Sequence, residues 1–204
     1  MGRRKASSAF GAEIPPDPEA RAAVDRLADE NALLRAALGE ARAQLGEAEE
    51  SAGRDPLTTL LEPRQFRFEL ERVLSQAARH GTPAALLSVD IDGMQAINDR
   101  HGRIAGDAAL RHVARLLKSL IRASDIAARG GGGAFSLLLD HLDADSALDT
   151  AERIARYIAA HPLDLGHSEL KLEATVSAAT IMPGDTVEEV LRRSARNRER
   201  MKEF

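Results

Sequence analysis

The 204-residue chain contains no cysteine. This excludes disulfides and thiolate metal sites, and it fits a reducing, cytoplasmic setting. No apolar run reaches membrane-spanning length, so no membrane insertion is expected. Positive charge is not in excess: 28 Lys and Arg against 32 Asp and Glu leave a net charge of -4. That balance argues against wholesale nucleic-acid binding. The basic opening Met1-Gly2-Arg3-Arg4-Lys5 is followed by no hydrophobic segment, so it does not read as a secretory signal. Ala6 stands where a myristoylation signal needs Ser or Thr. Residues 1–16, ending at Pro15-Pro16, read as a disordered leader. The whole chain is 44% hydrophobic, enough for one sizeable core.

Between Pro18 and Ala52 proline is missing altogether, while Ala, Glu, Arg and Leu are abundant. Val24, Leu27, Leu34, Leu38, Ala41, Leu45, Ala48 and Ala52, with Asn31, recur at alternating steps of three and four, a heptad repeat. With Val24 at position a, Asn31, Leu38, Leu45 and Ala52 also fall at a. Leu27, Leu34, Ala41 and Ala48 fall at d. An Asn at a pairs best with its own symmetry mate, so residues 17–52 are expected to form a parallel, in-register dimeric coiled coil. Glu30 at g and Arg35 at e have the spacing of an attractive pair across that dimer. The alternative is an amphipathic helix packed on its own domain, but the stripe is narrow and the other faces are charged. Gly53-Arg54-Asp55-Pro56 then breaks the helix and marks a domain boundary.

The rest, residues 55–204, reads as a single domain. Helices are expected from Pro63 to about His80, from Asp107 to about Ile121, from Ala144 to about Ala159 and from Val187 to Lys202. Ala84 to Val89 is a continuously apolar run, the pattern of a buried strand, and it delivers Asp90 at its end. Asp125–Ala128 and Phe135–Leu139 flank Arg129-Gly130-Gly131-Gly132-Gly133-Ala134 as a hairpin with a glycine turn. Leu170 to Thr180 reads as a further strand. Helices and strands alternate without the regular period of a doubly wound sheet. The fold class is therefore α/β in the α+β sense, with a mixed, mainly antiparallel sheet flanked by helices.

Three motifs carry a resemblance. Asp55-Pro-Leu-Thr-Thr-Leu opens the domain. Asp90-Ile-Asp-Gly-Met-Gln-Ala-Ile-Asn98-Asp99 follows, continuing through Gly102-Arg103-Ile-Ala-Gly106-Asp107. Then comes the turn Gly131-Gly132-Gly133-Ala134-Phe135. Together they resemble the GGDEF-domain (diguanylate cyclase) family, whose turn normally reads Gly-Gly-Asp/Glu-Glu-Phe. The resemblance implies a ferredoxin-like, cyclase-palm domain. It also implies that both signature acids are replaced, by Gly133 and Ala134, so that no catalytic residue stands in the turn. In the family Mg²⁺ is held by several oxygens during phosphoryl transfer. Asp90 and the Ile91 carbonyl match two metal ligands, and they remain as a vestigial set. The alternative for Asp90 and Asp92 is ordinary strand-end capping.

By the same resemblance, Asn98 and Asp107 match residues that read guanine, and Lys202 matches a phosphate contact. These three form a vestigial GTP site, with Gln95 and Arg103 departing from the family's Lys and His. Asp107 has a second reading as a helix N-cap. Arg122-Ala-Ser-Asp125 matches the family's inhibitory site for cyclic di-GMP, with Arg129 and Arg153 at further contact positions. An arginine fork grips phosphate or a guanine edge, and a carboxylate accepts from guanine N–H groups. The bland alternative is an exposed ion pair between Arg122 and Asp125. The basic run from Arg192 to Lys202 reads as the solvated end of a helix.

The expected function is that of a catalytically inactive GGDEF protein, a cyclic di-GMP receptor and scaffold in bacterial second-messenger signalling. It would act as a homodimer with an unidentified protein partner. No cofactor is required for that role, and Mg²⁺ enters only if GTP binds. The alternatives are an active diguanylate cyclase with an aberrant signature and a nucleotide-free dimerisation protein.

Overall fold

A computed structural model describes residues 18–166 and 168–202. The expected leader lies outside them. Contacts divide the chain into two units that meet at Glu50 and Ser51. Helix α1 (Pro18–Ala52) accounts for the first. It starts at a proline, whose missing N–H costs nothing in a first helical turn. Leu27, Leu34 and Leu38, all on the heptad seam, are 64%, 62% and 51% exposed. Leu33, which lies off that seam, is 72% exposed. The side chains of Val24, Leu45, Ala48 and Ala52 lie outside the described set.

In the second unit, α2 (Pro63–His80) has proline in its first turn and closes on Gly81 at φ +65°, the left-handed cap that glycine adopts without steric cost. Phe66, Leu70, Val73 and Ala77 form its buried stripe. Strand β1 (Ala84–Ile91) follows, then α3 (Met94–His101), α4 (Arg103–Leu120), β2 (Ile126–Gly131), β3 (Ala134–Asp140) and α5 (Ala144–Ala160). A two-stranded ribbon, β4 (Leu163–Asp164) and β5 (Glu169–Leu170), precedes β6 (Ala174–Ile181) and α6 (Val187–Lys202). Asp143 caps α5 by accepting the Ser146 amide at 2.8 Å.

The main sheet has the order β2-β3-β1-β6. Its named strands pair antiparallel throughout, and the parallel element of the expected mixed sheet reduces to a single bridge, Leu61 to Ala128. Alternation along β1 serves two cores. Ala85, Leu87, Val89 and Ile91 join one with α4 and α5, while Ala84 and Leu86 join the other with α2 and α6. Both faces are covered, which is why this strand reads as an unbroken apolar run.

The structure corrects several expected boundaries. Strand β1 continues two residues past Val89, so Asp90 and Ile91 lie inside it. Helix α4 begins at Arg103, four residues before Asp107. The expected strand from Leu170 to Thr180 is two strands, broken at Lys171–Glu173. Helix α3 had no periodic signal: none of its eight residues is buried.

Candidate functional site

The glycine turn joins β2 to β3 with Gly131 at φ +94° and Gly132 at φ +55°, backbone that glycine adopts readily and other residues rarely do. Register sets Asp90 directly opposite Ala134, and the Ile91 amide donates to the Gly133 carbonyl at 3.0 Å. A Cβ placed on Gly133 would stand 2.7 Å from Met94 Cγ and 3.2 Å from the Ile91 carbonyl oxygen. Met94 therefore fills the space beside the turn where an acidic side chain would begin. The oxygen donors left are the Asp90 carboxylate and the Ile91 carbonyl. Among the described residues no three acidic or histidine side chains are grouped to hold a metal. These two protein oxygens would leave a Mg²⁺ ion to complete its octahedron from water and nucleotide phosphates.

Asn98 lies half-buried on α3, facing the first turns of α4. A Cβ on Gly106 would come within 1.9 Å of Asn98 Oδ1, so only glycine lets the two helices approach here. Asp107 is exposed in the second turn of α4, whose N-cap is Gly102. The N-cap reading of Asp107 is thereby corrected. Lys202 ends α6, and its side chain lies outside the described set.

Arg122 and Asp125 close one tight turn between α4 and β2. Asp125 Oδ2 accepts the Arg122 amide at 2.8 Å, and the Asp125 amide donates to the Arg122 carbonyl at 3.1 Å. Asp125 Oδ1 accepts the Asp140 amide at 3.3 Å. The alternative of a surface ion pair does not hold, because the carboxylate takes backbone amides and not the guanidinium. Asp125 is half-buried and fastens β3 to the turn. Each of its oxygens still has acceptor capacity.

The Arg122 side chain is exposed and makes no hydrogen bond or ion pair with the described residues. Both residues line a cleft of about 660 Å³ with Arg54, Leu60, Leu61, Glu69, Arg72 and Lys118. The last three of these, with Arg54, are charged contributors that the motif spacing did not reveal, because they come from α2, α4 and the segment after α1.

Arg129 and Arg153 are not among the residues lining this cleft. Arg129 turns inward, donating to Asp55 Oδ2 at 2.8 Å and to the Gly132 carbonyl at 3.3 Å. Burial alone would raise the Asp55 carboxyl, but hydrogen bonds from Thr58 and Arg129 outweigh it and hold the group below its usual range. Arg153 is exposed on α5. The basic end of α6 is also less solvated than expected. Arg193 pairs through both Nη atoms with Asp185 at 2.8 and 2.7 Å, and that pairing lowers the Asp185 carboxyl.

Residues 52–203 match the family described as diguanylate cyclase, GGDEF domain. Response regulator PleD of Caulobacter vibrioides is 35% identical over 156 residues, covering 75% of this chain and 34% of that protein. The chain thus spans about a third of that curated relative's length. Among solved structures, the coiled coil and GGDEF domain of DgcB from Caulobacter crescentus, in complex with c-di-GMP, is similar with a TM-score of 0.77 at 27% identity. That match covers 88% of this chain and 93% of DgcB's. Diguanylate cyclase SiaD from Pseudomonas aeruginosa, in complex with its activator SiaC, is similar with a TM-score of 0.73 at 25% identity, covering 91% and 71%.

Proposed function

This chain belongs to the GGDEF family of diguanylate cyclase domains, and we propose that within it the protein is a non-catalytic receptor and scaffold for cyclic di-GMP. The observation that carries the reading is the Arg122–Asp125 turn: a free guanidinium and a backbone-oriented carboxylate stand together at an open, cationic cleft. Guanine offers N1–H and N2–H to the carboxylate, and the guanidinium meets phosphate or the guanine O6/N7 edge. Arg129 supports the neighbouring turn from within. Arg153, outside the cleft, is the candidate contact for ligand that protrudes from it.

Loss of catalysis follows from the turn. Gly133 and Ala134 offer no carboxylate, and Met94 stands where one would begin. Phosphoryl transfer between two nucleotides relies on metal to neutralise developing charge. Dimerisation falls to α1, whose exposed Leu27, Leu34 and Leu38 lie on one heptad seam with Asn31.

Titration calorimetry tests the reading. Cyclic di-GMP should bind with a dissociation constant below about a millimolar, and Arg122→Ala should weaken it about tenfold to a hundredfold. Wild-type binding weaker than that, or an Arg122→Ala protein that binds as well, overturns the receptor role. Robust synthesis of cyclic di-GMP from GTP and Mg²⁺ by the wild-type chain would establish an active cyclase instead.

A further inference from the structure

The cleft beside Arg122 holds more positive charge than its two-residue motif supplies. Arg54, Arg72 and Lys118 line it too. Arg72 is neutralised by Glu69 at 2.8 Å. Arg54, Lys118 and Arg122 have no carboxylate within ion-pair distance among the described residues, whereas Arg67, Arg129 and Arg193 each do.

Two of these uncompensated cations converge on one residue. Lys118 Nζ donates to Thr59 Oγ1 at 2.9 Å, and Arg54 Nη1 donates to the Thr59 carbonyl at 3.1 Å. Thr59 has φ +59°, a left-handed conformation in which a β-branched residue is an outlier. Such strain persists only where the surroundings over-determine it. Here Thr58 is bound to Asp55 on one side, while on the other Leu60 is buried and Leu61 is paired with β2. Two cations that line the cleft are thus engaged on neutral oxygens of a strained residue.

We propose that Arg54 and Lys118 form a second grip on the phosphates of the nucleotide in the Arg122 cleft, and that taking up this grip releases Thr59. Occupancy of the cleft then changes the order of residues 54–62, the segment that follows α1. The inference rests on the cyclic dinucleotide reading of the cleft. A phosphate offers these cations an opposite charge as well as acceptor oxygens, which a neutral hydroxyl or carbonyl does not. Exchange of partners is therefore downhill, and the strain at Thr59 adds to it. Linkage makes the effect reciprocal: whatever weakens the Thr59 tether must tighten ligand binding.

The test is calorimetry with cyclic di-GMP on the full chain, joined to hydrogen exchange of residues 54–62. Lys118→Met should weaken binding about tenfold, and Lys118→Arg should restore most of it. Thr59→Val removes the hydroxyl that holds Lys118 while keeping the strained β-branched residue, and should bind several-fold tighter than wild type, which a purely structural Thr59 would not do. Amides of residues 59–61 should exchange faster, not slower, when ligand is bound. Unchanged affinity in Lys118→Met and Thr59→Val, or slower exchange across the segment, overturns the coupling and leaves the receptor role standing. Absence of binding by the wild-type chain removes the receptor role, and the coupling with it.

Discussion

Arg129 Nη1 sits 2.8 Å from Asp55 Oδ2, joining residues 74 positions apart with only 16% of each side chain exposed. The pair ties the segment after α1 to the strand that leads into the glycine turn. Asp55 also accepts the Thr58 amide and hydroxyl, at 2.8 and 2.6 Å. A single aspartate thus anchors both its own turn and β2.

Arg129→Ala should destabilise the domain by about 1.5–3 kcal/mol, the range for a lost hydrogen bond to a charged group. Asp55→Ala should cost at least as much, since it also frees the Thr58 amide. Chemical denaturation of the two single variants and the double variant checks this. Additive losses would show that the two residues act independently.

Acid should weaken the same region. The Asp55 carboxyl lies below its ordinary value of 3.8 in the folded chain. Its contribution is therefore complete above that value and is lost as pH falls through the folded pKa. Asp185, lowered chiefly by the Arg193 hydrogen bond, acts in the same direction. Urea midpoints measured from pH 7 down to pH 3 should fall, and Asp55→Asn should flatten part of that slope. An unchanged slope would assign acid sensitivity elsewhere.

Gly106→Ala should destabilise by about 1–3 kcal/mol, because the new methyl meets Asn98 Oδ1. Alanine is otherwise the better helix former by about 1 kcal/mol. In an Asn98→Ala background the same substitution should therefore turn neutral or stabilising. Thermal unfolding of the four proteins in the cycle reads the change of sign.

Gly133→Asp combined with Ala134→Glu should not restore cyclase turnover. The aspartate Cβ enters the space of Met94, and Gln95 and Arg103 remain unlike the family pattern. The cost in stability should be about 1–3 kcal/mol, moderated by the flexibility of methionine. A coupled assay for cyclic di-GMP, with a denaturation curve, measures both.

The full chain should be a dimer in solution, and a protein of residues 53–204 should be a monomer or weak dimer. Light scattering at about tens of micromolar distinguishes them. Leu34→Glu, on the exposed seam, should dissociate the full chain while leaving the globular domain folded.

Much of the domain was legible in local pattern. The bounds of α2 and α6 follow from proline at one start and a clear apolar stripe in both. The glycine run marked the hairpin because tight turns demand residues free to adopt positive φ. Asn98, Asp107, Arg122 and Asp125 were singled out by resemblance to the family's motifs, which a linear sequence carries.

Other features belong to contacts between distant segments. Helix α3 buries none of its residues, so no amphipathic period announces it. Arg129 reads in sequence as a residue beside a turn, and only the approach of Asp55 directs it inward. The strain at Thr59 and the cations that hold it come from two segments distant in sequence, the one after α1 and the end of α4. The sequence by itself determined the longer helices, the heptad seam and the missing acids, because each rests on residue type and local period. Tertiary structure alone decided which charges share the cleft, since that depends on where the ends of α2, α4 and β2 meet.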